Sequence, residues 1–342
     1  MKKLRILVLM HEDLVPPDTL EGYSDKEIVE WKTEYDVVST LKDMGHDVRP
    51  LGVYDSLGII RNTLEEWKPH ITFNLLEEFH GNSLFDYHVV SYLELKRQRY
   101  TGCNPRGLIL AHDKALSKKL LFFHRINAPK FVVIPIGKNP VLPRRLKYPI
   151  FVKSLFEDGS YGISQASVVY NEEKFRERVH YLHEQLGTPV IAEEYIEGRE
   201  LYVSVIGNTR LQTFPIIELK FGDMPEDILR IATSRVKWNW EYQKKHNINI
   251  VVAKGLSSTM REKISRLSKR IYRILSLTGY ARIDLRLTDN GEIYVLEANP
   301  NPDIGYGEEL SNATEAAGMD YEELLQKVIN LGMRYEPETR LS

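Results

Sequence analysis

An α/β fold built from more than one structural unit follows from three features of the chain. Its first third alternates short apolar runs with segments of helical period, the pattern of a parallel sheet with crossover helices. Residues 281–302 read as two strands closed by Asn290-Gly291, a dipeptide that favours a tight hairpin turn. A length of 342 residues suggests two or three units with sizeable cores.

Residues 4–10 form the first strand, followed by a loop over 11–25 that carries Pro16-Pro17. Ile28, Trp31, Tyr35, Val38 and Leu41 recur at three- and four-residue steps, which predicts one helix over 25–45. A strand over 47–52, a short helix over 59–67 and a strand over 71–75 complete the alternation. The last of these runs into NLLEEFHGN, which puts Asn74, Glu77, His80 and Gly81 at the carboxyl end of the sheet, where open α/β sheets bind ligands. Taken alone, His80 serves as readily as a surface histidine. A helix over 85–95 follows, and Tyr100-Thr101-Gly102 closes the first unit.

The next helix, over 113–125, has Asp113 as its N-cap and carries Lys114, Lys118 and Lys119, which on an exposed helix are ordinarily solvated. Residues 134–149 are rich in proline and basic side chains. A strand ending at Lys153 then leads into the turn Gly159-Ser160-Tyr161-Gly162 and a strand over 167–170. Glycines in such a turn let backbone N–H groups approach an anion, although by itself the turn is most often a plain hairpin loop. Neither GxxxxGK[ST] nor GxGxxG occurs. A helix over 172–186 ends at Gly187, and strands follow over 190–196, 201–206 and 213–219. Trp238 and Trp240 read as packing residues, whereas Lys237, in a long loop-like segment, suits closure over a phosphate. A helix over 261–277 leads into the hairpin. Beyond Pro302 come a glycine-rich loop over 303–309, a helix over 321–331 and a loose tail over 335–342.

The hairpin carries the most chemistry. With Asn290 and Gly291 as a two-residue loop and a constant register, Asp284 lies opposite Glu297 and Arg282 opposite Asn299. Period-two alternation sends all four to one face, with opposed Cβ atoms roughly 4.5–5.5 Å apart. Two carboxylates and an amide crowded there are costly unless a hard cation such as Mg²⁺, which takes oxygen ligands, neutralises them. Ile283, Leu285, Leu287, Tyr294, Leu296 and Ala298 occupy the other face, which suits burial.

Composition sets the remaining bounds. Hydrophobic content of 42% and charged content of 27% describe an ordinary soluble globular protein. A net charge of −2 gives no global electrostatic case for a nucleic acid or an acidic membrane. The single Cys103 excludes an intrachain disulfide framework and a multi-cysteine zinc site, and a lone loop thiol is ordinarily incidental. The apolar run after Met1-Lys2-Lys3 is too short for a signal peptide, and nothing approaches a membrane span, so a cytoplasmic location is expected.

Together these segments resemble the ATP-grasp superfamily, and within it the D-alanine–D-alanine ligase branch. The motifs are HG at His80-Gly81, YTG at 100–102, DK at Asp113-Lys114, IFVKSLFEDGSYGIS, EEYIEGRE, ARIDLRL and YVLEANPNP. They span nearly the whole chain and are strongest over 148–302. The resemblance implies a three-subdomain ATP-grasp fold, α+β in its ATP-grasp part, with an N-terminal parallel α/β sheet. Its units would be 1–104, preceding the ATP-grasp; 105–191, the central subdomain with the glycine loop; and 192–342, the C-terminal subdomain with the Mg²⁺ site.

The implied activity is an ADP-forming carboxylate–amine ligase. A carboxylate takes the γ-phosphoryl group of ATP to give an acyl phosphate, and an amine then displaces phosphate to form an amide. Such chemistry asks for positioning and charge neutralisation rather than a side-chain nucleophile. By the resemblance, Lys114, Lys153 and Lys237 contact the ATP phosphates beneath the loop Gly159, Ser160, Tyr161 and Gly162. Glu193, Glu194, Tyr195 and Ile196 lie beside the adenine and Glu200 on the ribose. Asp284, Glu297 and Asn299 hold Mg²⁺ (or Mn²⁺). Arg282, Lys237 and Ser160 serve catalysis, Arg282 by stabilising the charged intermediate. Relatives suggest a homodimer acting on small-molecule carboxylates and amines, with no nucleic-acid or membrane partner.

Two stretches depart from the branch. Where it has a glycine pair and then a Ser and a Glu that hold the first substrate, this chain reads MHEDLVPP, with Glu12 as the candidate glutamate. Where it has a PGMT-like turn and a Ser-Leu pair for the second D-alanine's carboxylate, this chain reads PDIGYGEELS, with Asp303 for the glycine and Glu308-Glu309 near the Ser-Leu place. Acidic side chains there repel a carboxylate, so a cationic or uncharged amine fits better than D-alanine. Substrate contacts are expected from Glu12, His80, Gly81 and Asp303. The alternatives are another ATP-grasp reaction, such as phosphorylation or carboxylation, and a nucleotide-binding regulator without turnover. The complete Asp284/Glu297/Asn299 set weighs against the last.

Overall fold

The computed structural model describes residues 3–157, 159–225 and 228–337. β1 (Arg5–His11), α1 (Asp25–Glu30), α2 (Lys32–Asp43), β2 (Asp47–Val53), α3 (Leu57–Trp67) and β3 (Ile71–Asn74) alternate as expected. The three strands are parallel, in the order β2-β1-β3. Leu7 and Leu9 of β1 enter one core and Ile6, Val8 and Met10 another, the two-sided burial of a parallel sheet. The single helix expected over 25–45 is two. Ser24 and Glu27 form a capping box on α1, which stops at Trp31, where φ −127° and ψ 21° leave the helical region.

α4 (Asp86–Leu95) is followed by α5 (Pro105–His112), a helix not expected from the sequence. Its start is legible after the fact, with Asn104 as the N-cap and proline at the first helical position. α6 (Lys114–Phe123) begins at Asp113, whose Oδ1 accepts from Ala115 N and Leu116 N at 2.9 and 2.8 Å. The first unit meets the rest of the chain backbone to backbone. Gly279 has φ +69°, and a Cβ there would lie 2.4 Å from the Gly102 carbonyl oxygen. Across the same joint Asn301 Oδ1 accepts from Cys103 N at 2.7 Å.

β4 (Phe131–Ile134), β5 (Ile150–Ser154), β6 (Val168–Val169) and β7 (Val190–Glu194) form an antiparallel sheet, ordered β4-β7-β5-β6, against which α7 (Glu172–Leu186) packs. β4 has no counterpart in the sequence-based reading, and β7 carries this sheet past the expected unit boundary at 191.

The remaining elements are β8 (Arg199–Ile206), β9 (Gln212–Thr213), β10 (Ile217–Lys220), α8 (Ser234–Trp238), α9 (Trp240–Lys245), β11 (Asn249–Val252), α10 (Ser258–Ile274), β12 (Tyr280–Leu287), β13 (Ile293–Pro300), α11 (Glu309–Glu315) and α12 (Tyr321–Arg334). Their six-stranded sheet runs β11-β10-β8-β12-β13, with β9 beside β8. The strand expected over 213–219 is divided because Pro215 has no N–H for the ladder. Lys237 sits in the helix α8, not in a loop. Tyr335 is tied down rather than loose, with its ring 5.6 Å from Tyr100 and its hydroxyl 3.3 Å from Glu94. Residues 338–342 of the expected tail lie outside the described residues.

The central hairpin reaches its expected pairs by another path. Gly291 N donates to Thr288 O at 2.9 Å and Thr288 N to Glu292 O at 3.0 Å, so the loop holds three residues rather than two. Leu287 therefore pairs with Ile293 and Leu285 with Val295. A β-bulge that leaves Leu296 unpaired then restores Asp284 opposite Glu297 and Arg282 opposite Asn299. The two departures cancel at the acidic pairs but not in the outer half of β13. There Ile293 and Val295 enter the core, while Tyr294 and Leu296, expected in it, stay partly exposed. Replacing Gly279 with Ala is expected to lower stability by about 2 kcal/mol or more, because a side chain is strained at positive φ and this one meets backbone. Urea unfolding reads this directly, and an unshifted midpoint would contradict so close a joint.

Candidate active site

A cavity of about 710 Å³, counting its open mouth, lies between the four-stranded and six-stranded sheets, within the size range of small-molecule sites. β5 brings Lys153 to it, α6 brings Lys114, β7 brings Glu193 and β13 brings Glu297, while Lys118, one turn further along α6, lies outside the lining. Lys153 Nζ lies 3.3 Å from Glu193 and 3.2 Å from Glu297. Lys118 Nζ lies 3.1 Å from the other Glu193 oxygen and donates to Leu296 O at 2.6 Å. Lys118 is 1% exposed, Glu193 2% and Lys153 7%, so each charge is tolerable only because it is paired. Burial opposes the charge of Glu193, yet Lys118 and Lys153 outweigh it and hold the carboxyl below its usual range. Burial likewise opposes Lys153, but Glu193 and Glu297 raise it above the usual lysine range. Glu297 is lowered, since Lys153, Lys114 and Lys237 together overcome its desolvation. Lys114 Nζ donates to Glu157 O at 2.8 Å.

Beside this cluster Arg282 grips both oxygens of Asp284, at 2.8 and 3.0 Å, and reaches Glu309 with Nη1 at 2.9 Å. Asn299 Nδ2 donates to Asp284 Oδ2 at 2.9 Å, and among the described residues nothing donates to its Oδ1. Burial pushes the Asp284 carboxyl up to about 6, against the pull of Arg282. Among the described residues no three His, Cys, Asp or Glu side chains are grouped to hold a metal alone. Two carboxylates and one amide oxygen nevertheless fit Mg²⁺, which commonly takes one or two carboxylates and completes its shell with phosphate oxygens and water. The donor set and the lysines therefore suit Mg²⁺ with a nucleotide.

The glycine turn is latched to α8. Trp238 Nε1 donates to Gly159 O at 2.8 Å, and Ser234 Oγ donates to the carbonyl of Ser160, itself at φ +64°. Trp238 and Trp240 are 64% and 66% exposed, so the packing role expected of them does not hold. Glu200 accepts from Arg286 Nη2 at 2.6 Å and from the Tyr202 hydroxyl at 3.0 Å. Lys237 Nζ stands 5.7 Å over the Tyr202 ring.

Lys114, Lys153, Ser160, Glu193, Glu194, Tyr195, Ile196, Glu200, Lys237, Asp284 and Glu297 thus line one cavity. Gly159, Arg282, Asn299 and Asp303 line the cleft that continues from it, whereas Tyr161 and Gly162 line neither. Three of the four expected substrate contacts stand away from the cleft wall. Glu12 is exposed, and so are His80 and Gly81, with His80 3.7 Å from Asp55 and packed on Tyr54. The cleft is instead lined from the first unit by His11, Glu77, Glu78 and Asp86. Lys118, Arg286 and Glu309 are functional neighbours absent from the sequence-based selection. The signal for Lys118 was available, since four residues from Lys114 puts both on one helical face.

The family model described as D-ala D-ala ligase C-terminus matches residues 137–330, more than half of the chain. The chain belongs to this family. A relative called uncharacterized protein y4sG, from Sinorhizobium fredii, is 28% identical over 306 residues, covering 87% of this chain and 86% of its own. A D-alanine--D-alanine ligase of Pseudothermotoga lettingae is 28% identical over 323 residues, covering 92% of this chain and 98% of its own. In fold, the D-alanine--D-alanine ligase of Bacillus anthracis complexed with ATP superposes with a TM-score of 0.73 at 23% identity, over 97% of this chain and 98% of that one. This ligase-family chain keeps its lone thiol out of the site. Cys103 is fully buried, and burial pushes it up to about 12. Iodoacetamide at pH 8 is expected to leave Cys103 unmodified in the folded protein and to alkylate it after denaturation, which intact-mass measurement reads; rapid labelling of the native chain would contradict this.

Proposed function

We propose that this member of the D-alanine–D-alanine ligase family joins an amino-acid carboxylate to an amine in an ADP-forming, ATP- and Mg²⁺-dependent reaction. The observation that carries the reading is the convergence of Lys114, Lys153 and Lys237 on the Glu297 side of the Asp284/Glu297/Asn299 oxygen set. Lys114 and Lys153 bind the nucleotide phosphates, and Lys237 meets them from α8. Asp284, Glu297 and Asn299 would hold Mg²⁺, which would supply charge neutralisation there. The turn Gly159–Ser160–Tyr161–Gly162 covers the phosphates and excludes water. Glu193, Glu194, Tyr195 and Ile196, facing Phe151 and Ile163, take the base, and Glu200, fixed by Arg286, takes the ribose. Arg282, locked in orientation by Asp284 and Glu309, stabilises charge that develops at the activated carboxylate.

The units we propose are 1–104, a central unit from 105 extended through β7, and the remainder. Asp303 contacts substrate, and the acidic Asp303 and Glu308 disfavour an acceptor with a free carboxylate there, so an uncharged or cationic amine serves better than D-alanine. No helix among the described residues is long and apolar enough to cross a membrane. A cytoplasmic homodimer acting on small molecules, without nucleic-acid or membrane partners, remains part of the proposal.

Asp284→Asn and Glu297→Gln are each expected to lower ADP release about 100-fold or more with circular dichroism unchanged. Near-normal release from both would sink the metal assignment. Lys153→Met should weaken ATP binding about tenfold or more, as an ionic hydrogen bond to phosphate is lost; an unchanged dissociation constant would remove Lys153 from the phosphate site.

A further inference from the structure

The cleft beyond Arg282 opens into a side pocket between the first unit and the loop after β13, and its polar lining is rich in unmatched acceptors. Glu34, in the first turn of α2, is 7% exposed and pairs with no cation among the described residues. Asn74, at the end of β3, is 2% exposed, and its buried Oδ1 accepts no hydrogen bond. Asp303 lines the same pocket from the opposite unit; its Oδ1 accepts from Thr33 Oγ1 at 2.7 Å and Gly305 N at 2.8 Å, and no described residue donates to its other oxygen. Burial pushes the Glu34 carboxyl up to about 7, against a hydrogen bond from its own backbone N–H, and Asp303 and Asp36 add to the rise. Lys32, at the pocket wall, is already engaged, 2.6 Å from Asp36 and donating to Tyr306 O. Leu14, Val29, Leu76 and Ile304 make the walls aliphatic. Buried acceptors without donors are unfavourable, and a ligand that brings N–H groups and positive charge removes that cost.

We infer that this pocket seats a second positive charge on the acceptor substrate. The acceptor class is an alkyl diamine or guanidino-alkylamine, with its reacting nitrogen toward Arg282 and Asn299 and its far cation among Glu34, Asp303 and Asn74. The inference rests on the ligase reading above and narrows it.

Calorimetric titration of the full chain, with Mg·ADP present, compares 1,4-diaminobutane with butylamine. The diamine is expected to bind about tenfold tighter or more, and Glu34→Gln and Asp303→Asn should each bring it close to butylamine. Equal binding of the two amines, or a diamine affinity unmoved in both variants, overturns the inference. ADP release with amino-acid donors separates it from its foundation. Release with D-alanine or butylamine as acceptor, no better with the diamine, refutes the dication and leaves the ligase reading standing. No release with any acceptor, while Mg·ATP binds, refutes the ligase reading and this substrate class with it.

Discussion

The buried run Lys118–Glu193–Lys153–Glu297 is the constraint from which the rest of the site takes its shape. It joins α6, β7 and β5 to β13, so it crosses from the four-stranded sheet to the six-stranded one beside the cavity between them. Lys118, Glu193 and Lys153 do not tolerate isolation, and Glu297, partly exposed, closes the run. An unpaired ion so deeply buried costs several kcal/mol, whereas alternating signs make each charge the solvent of the next. Lys114 and Lys237 also act on Glu297 and help to hold that carboxylate ionised. The pairing that holds Lys153 in place also sets it at the cavity wall, where its charge suits polyanionic phosphates.

The bulge in β13 matters for a related reason. A strand of strict alternation would give its outer and inner halves the same facing, with Leu296 in the core and Val295 out. Leaving Leu296 unpaired frees its carbonyl to accept from Lys118 and turns its side chain to the cavity, while Val295 fills the core. One inserted residue therefore serves the apolar core and the ion chain at once, and it leaves Asp284 facing Glu297. Bulges beside ligand sites commonly re-aim side chains in this way.

Legibility in the sequence followed how local each cause is. The parallel alternation of the first unit, the cap at Asp113, the helix ended by Gly187 and the pairs Asp284/Glu297 and Arg282/Asn299 all rest on residues near one another in sequence, and they were readable. The hairpin pairs were reached there with a two-residue loop and no bulge, two errors of register that cancel. The break at Trp31 and the short β4 depend on tertiary packing, which overrides period and propensity. Lys118 shares a helical face with Lys114, which is a local signal, but its burial is not local: the partner that makes it possible, Glu193, stands 75 positions away. Glu12 shows the converse: a position matched by order along the chain need not share a wall with the cleft, and this one is exposed outside it.

The two ends of the cleft differ in how their carboxylates are matched, and this difference argues for different partners. At the cavity end buried carboxylates are answered by buried lysines. Toward Glu34 and Asp303 the surplus is acceptor, and the nearest lysine is already held by Asp36. A substrate carrying a carboxylate at both ends would meet repulsion at the second. One that presents an activated carboxylate at Arg282 and an amine from the acidic side meets complementary charge at both, and the amide bond would form where the two fields meet.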